Sequence, residues 1–200
     1  KREEILRIFP LDKEVQDSKG FVKGFIQKKW IEKLVPSDFI PLPFLPKSDL
    51  EPLYGLTKAE LIELISYLGI YDLAHEMKKV VDTKILKNLY GNLNPKKIEF
   101  LKSLLQQKEK ISTPKFDLKD WSGDIKELEN RIHKRGLRRL HLVLAKENPS
   151  KKWLLTRTLD TGRGQILEEP IHEEINPHII ATLTGQVLDT LKFLGKVNRG

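Results

Sequence analysis

Apolar residues recur along the chain at spacings of three and four, in short blocks divided by prolines and capped turns. The first block, Phe21, Val22, Phe25, Ile26, Trp30 and Leu34, lines one face of a predicted helix that Pro36 closes. Five prolines (Pro36, Pro41, Pro43, Pro46 and Pro52) then interrupt Phe39, Ile40, Leu42, Phe44 and Leu45. Proline lacks the backbone donor and clashes with the preceding turn, so helix is excluded while apolar side chains still need cover. The pattern predicts a proline-rich extended segment lying against a neighbouring surface.

Thr57 and Glu60 have the spacing of a capping box, and Leu61, Leu64, Ile65 and Leu68 follow on one face. Gly69 is read as the end of that helix. Two more amphipathic stretches follow, Leu73 to Val81 and Ile85 to Leu89, before Gly91. Asn94-Pro95 reopens a helix bearing Ile98, Leu101, Leu104 and Leu105, because Asn caps the first turn and Pro suits its first position. The expectation is four short helices in about fifty residues. Residues 111–121, rich in Ser, Thr, Pro and Gly, read as a connection.

Beyond it, Ile125, Leu128 and Ile132 mark another helix, and the Asn-Pro signal recurs at Asn148-Pro149 and Asn176-Pro177. The last opens a stripe of Ile180, Leu183, Val187, Leu191 and Leu194, wide enough to dock on a partner helix or domain. Residues 138–159 also fit a β-hairpin turning at Asn148-Pro149. Helix is preferred, since Gly136 and Asn148-Pro149 stand where helix ends belong. The resulting expectation is all-α, with short helices in an armadillo-like superhelical arrangement. Three parts are expected: residues 1–52, with the first helix and the proline-rich segment, a helical domain over 53–112, and a second over 113–200.

Composition narrows the function classes. A hydrophobic fraction of 39% supports a core, and the absence of cysteine removes disulfides and Cys-ligated metals, which suits a reducing compartment. No stretch approaches the about 20 apolar residues of a membrane helix. The net charge of +8 concentrates in residues 131–152, where Arg131, Lys134, Arg135, Arg138, Arg139, Lys146, Lys151 and Lys152 face one acid, Glu147. Such a patch suits an acidic protein surface or a solvated face. Nucleic acid is the weaker alternative, with Arg135, Arg138 and Arg139 on phosphates, because no aromatic residues interleave to stack bases.

Candidate chemistry is sparse. Asp160-Thr161-Gly162 matches the triplet of aspartic proteases, but Arg163 follows where a small residue belongs, and a structural turn is favoured. Gly162-Arg163-Gly164 lacks the phosphate-loop pattern and reads as a flexible turn. His172, Glu173, Glu174 and His178 are the closest histidine set, without the spacing that puts two ligands on one helical face. No serine or cysteine nucleophile is recognisable. Neither catalysis, cofactor nor metal is expected.

Ala145-Lys146-Glu147-Asn148-Pro149-Ser150, ahead of an apolar stretch ending in Leu159-Asp160, resembles the middle domain of the flagellar motor-switch rotor protein family. There a Glu-His-Pro-Gln motif opens a helix that runs to a Leu-Asp-Pro turn. Glu147 and Pro149 match, whereas Asn148, Ser150 and Thr161 replace His, Gln and Pro. Asn88-Leu89 and Asn92-Leu93-Asn94-Pro95 are similar to that family's helical repeats. Its torque-generating domain has no counterpart. The resemblance implies partner-binding roles for Glu147, Asn148, Pro149 and Ser150, while the charge of the adjoining patch makes Lys134, Arg135, Arg138 and Arg139 candidates for docking on an acidic partner. It implies a rotor-protein-like scaffold subunit of a non-flagellar type III secretion apparatus, of the chlamydial kind. Such a subunit works in protein transport without spanning the membrane, on the cytoplasmic face between membrane-ring and sorting-platform proteins, and is able to oligomerise within a ring.

Overall fold

The computed structural model describes residues 35–107, 121–172 and 175–196, together with residues 20, 24–26, 28, 29, 33, 111, 116 and 118. Of the first predicted helix, Gly24, Phe25, Ile26, Lys28, Lys29 and Lys33 are helical, while Phe21, Val22, Trp30 and Leu34 lie outside the described residues. From Pro36 to Leu50 the chain forms one 3-10 turn, Leu42–Phe44, and is otherwise irregular, as its prolines require. A second 3-10 turn, Glu51–Gly55, leads into the helical body.

Helix α1 (Lys58–Met77) begins at the predicted capping box: Thr57 Oγ1 accepts from the Glu60 N–H and the Glu60 carboxylate accepts from the Thr57 N–H. It does not stop at Gly69, so two expected short helices are one. The same correction applies to Gly136, which lies inside α4 (Ile125–Val143) and ends no helix. Both glycines mark where α1 and α4 cross. A Cβ on Gly69 would lie 1.8 Å from the Ile132 carbonyl oxygen, and one on Gly136 would lie 1.7 Å from that of Ile65. Only a residue without a Cβ lets the two backbones meet there.

Between them in sequence lie α2 (Thr83–Asn92) and α3 (Pro95–Leu105), the latter capped by Asn94 with Pro95 in its first turn. A 3-10 turn, Leu144–Lys146, follows α4. Then come α5 (Pro149–Thr158, capped by Asn148), α6 (Thr161–Glu168, capped by Asp160) and α7 (Pro177–Phe193, capped by Asn176). Residues 138–159 are therefore helical on both sides of the Asn148-Pro149 turn, and no strand occurs among the described residues. Gly162-Arg163-Gly164 is not a loose turn but the body of α6, where a Cβ on Gly164 would meet the Thr156 carbonyl oxygen at 2.7 Å.

Helix α1 is enclosed by α3, α4 and α7, while α6 packs on α4 and α5. One apolar cluster runs from Leu50 to Leu194, so the stretches expected to form separate helical parts share it. The α7 stripe is spent inside the molecule: Leu183, Val187, Leu191 and Leu194 are buried. Phe100 on α3 gathers Tyr67 and Tyr71 of α1 edge-on, at 5.3 and 5.7 Å between ring centres, and Phe193 of α7 at 4.8 Å. Among the described residues no helix is long and apolar enough to cross a membrane.

Candidate functional site

The turn singled out in the sequence sits at the N-terminus of α5, and the chain's own proline-rich segment lies across it. Asn148 caps α5, its side-chain oxygen accepting from the Ser150 N–H at 2.9 Å, and Pro149 is exposed in the first turn. The Ser150 hydroxyl accepts from the backbone N–H of Ile40 at 2.9 Å. Glu147 accepts from the Ser48 hydroxyl at 2.8 Å and, through its other oxygen, from the Asn148 N–H at 3.0 Å. Phe39 is buried edge-on against Trp153, with ring centres 5.2 Å apart.

Lys151 holds the seam together. It is 1% exposed, donates to the Pro46 carbonyl at 2.7 Å and the Ser48 hydroxyl at 3.3 Å, pairs with Glu51 and faces the Tyr54 ring at 5.5 Å. A buried ammonium is tolerable only with such partners. Burial alone would push the Glu51 carboxyl up, but the hydrogen bond and charge of Lys151, with the Ser48 N–H, hold it below its ordinary value. Burial, reinforced by the charges of Glu147 and Glu51, pushes the Tyr54 hydroxyl well above its ordinary range. In the sequence Lys151 is one charge in a basic run. Its partners stand at Ser48-x-x-Glu51, which has the spacing of a capping box and whose carboxylate accepts from the Ser48 N–H at 3.1 Å.

The predicted basic patch is divided. Lys134 and Arg138 are exposed one helical turn apart on α4, and Arg135 is half-buried with its guanidinium 5.9 Å from the Phe116 ring centre. Arg139 is not on that surface. It points toward α1, pairs with the buried Asp72, donates to Gln186 of α7 and stands over the Tyr71 ring. Its inward position follows from helical spacing, since Leu128, Ile132, Gly136, Arg139, Leu140 and Val143 form the buried side of α4.

Asp160 of the protease-like triplet caps α6, accepting from the Arg163 N–H at 3.2 Å and pairing with its guanidinium. Burial pushes its carboxyl up, and the hydrogen bonds and charge of Arg163 more than reverse this. Arg163 Nε also donates to His133 Nε2 at 2.6 Å, while His133 Nδ1 lies 3.3 Å from the Ser66 hydroxyl. Burial and then the Arg163 charge push His133 below its ordinary value. A cation therefore stands where a carboxylate would be needed to make His133 a base toward Ser66, so the set ties α1, α4 and α6 together. His172 and His178 are exposed, Glu173 and Glu174 lie outside the described residues, and no group of three metal-ligating side chains occurs among the described ones.

Neither family models, curated proteins nor solved structures give a match to this chain.

Proposed function

We propose that this chain is a non-enzymatic scaffold or adaptor subunit of a flagellar-type, type III secretion complex, linking membrane-ring and sorting-platform proteins at the cytoplasmic face. The observation that carries the reading is that the Glu147-to-Ser150 turn, together with Lys151 and Trp153, grips an irregular, proline-rich stretch of polypeptide. A surface that holds one such segment has the chemistry to hold another. The resemblance at Glu147 and Pro149 supports the assembly named, and exposed Lys134 and Arg138 would orient an acidic partner. An armadillo-like superhelical arrangement of the chain's own short helices belongs to the same proposal. The test is co-purification of the tagged full chain with secretion-ring or sorting-platform proteins from its native host. Recovery that falls when Glu147 and Ser150 are replaced supports the reading, and a preparation containing no secretion or flagellar component counts against it. Salt-sensitive retardation of a nucleic acid probe, lost on replacing Lys134 and Arg138, would instead favour a nucleic-acid-binding module.

A further inference from the structure

The seam between the proline-rich segment and α5 differs in kind from the rest of the interior. Two of its contacts read backbone: Ser150 accepts from the Ile40 N–H, and Lys151 donates to the Pro46 carbonyl. Backbone groups are common to every extended segment, so these contacts fix a path and leave the sequence of the occupant open. The others read side chains, the 3.3 Å bond from Lys151 to the Ser48 hydroxyl among them. Trp153 takes an aromatic ring, Glu147 takes a hydroxyl, and Lys151 takes the carboxylate of Glu51, twelve residues after Phe39.

Apart from these groups the segment is anchored by buried Leu45 and Leu50, the latter within the main apolar cluster, and other positions along it stay open. Ile40 and Phe44 are exposed, Phe44 to 80%, and the Glu51 side chain is 41% exposed.

We infer that the face of α5 bearing Ser150, Lys151 and Trp153 is a peptide-recognition site, occupied in cis by residues 39–51, whose partner is another protein's proline-interrupted segment carrying an aromatic anchor ahead of a carboxylate. The partner binds by displacing the chain's own segment. Tethering gives that segment an effective concentration of about millimolar order, so an incoming peptide of equal intrinsic affinity competes poorly until the tethered one is weakened. This rests on reading α5 as a docking face but not on the identity of the assembly. Failed co-purification with intact peptide binding would remove the assembly alone, and the reverse result would remove the displacement alone.

The probe is a synthetic peptide of residues 36–52, labelled for fluorescence anisotropy and titrated with the full chain. The double variant Phe39→Ala/Glu51→Gln, which loosens the tethered segment from the ring and the ammonium, is expected to bind it at least about tenfold tighter than the wild type. Adding Lys151→Met to that variant is expected to abolish the gain. Circular dichroism establishes that the helical content is retained. Should the double variant fail to fold, Phe39→Ala alone is titrated with the same expectation of tighter binding. A folded variant that binds no better than the wild type, or a gain that survives Lys151→Met, overturns the inference.

Discussion

Two seams join distant parts of this chain, and they are built oppositely. At the α1–α4 crossing the backbones touch through Gly69 and Gly136, and the buried Arg139–Asp72 pair closes one side. At the α5 seam side chains of Ser150 and Lys151 bond the backbone of a segment rich in proline. The first seam depends on shape, so no other segment can replace either helix. The second depends on a few hydrogen bonds, one ring, one ion pair and the burial of Leu45 and Leu50, groups of a kind that another polypeptide can supply. A structural joint and a docking face are thus distinguished by what crosses the gap.

The crossing is most vulnerable to Gly136→Ala or Gly69→Ala. The added methyl falls within 2 Å of a carbonyl oxygen on the opposing helix, so the helices must separate, and a loss above about 4 kcal/mol, seen as failure to fold or a collapsed melting temperature, is expected. Asp72→Ala comes next. It leaves the Arg139 guanidinium buried without its carboxylate, for about 3–5 kcal/mol in denaturant titration.

Lys151→Ala acts at the other seam and is expected to cost less, about 1–3 kcal/mol, because Glu51 is partly exposed and can turn to water. Its diagnostic effect is local: proteolysis within residues 36–50 should accelerate while the helical melting transition shifts little. Asn148→Ala removes the α5 cap and should cost about 1 kcal/mol.

The smallest effect is that of pH. The folded Glu51 carboxyl lies below its ordinary 4.5, so its pairing contributes above that value and is lost as pH falls through the folded one. Lys151 and Lys47 face this carboxylate, and the Glu147 carboxylate shares the Ser48 hydroxyl with Lys151. Acidification below 4.5 should therefore loosen residues 36–50 before the α1–α4 crossing, read as earlier proteolytic cleavage there, and Glu51→Gln should remove the acid-dependent part.

What is legible in the sequence is local. The capping box at Thr57 and Glu60 and the three Asn-Pro starts each satisfy backbone groups within four residues, so their hydrogen bonds are encoded where they occur. Gly69 and Gly136 mislead because a helix end and a close crossing both call for a missing Cβ, and only the opposing helix tells them apart. Arg139 and Lys151 are hidden for a related reason. Their carboxylate partners lie 67 and 100 residues away, and a cation in a basic run carries no local mark of burial. Ring geometry denies the proline-rich segment a continuous α-helix wherever it lies, but which surface receives it depends on Ser150, Lys151 and Trp153, over a hundred residues later.

Whether one seam is fixed and the other exchangeable can be read from amide hydrogen exchange on the intact chain under native conditions. Residues 36–50 are expected to exchange at least about a hundredfold faster than residues 64–74 of α1, through an opening that leaves the crossing closed. Equal protection of the two stretches, with both lost together only on global unfolding, would contradict the distinction.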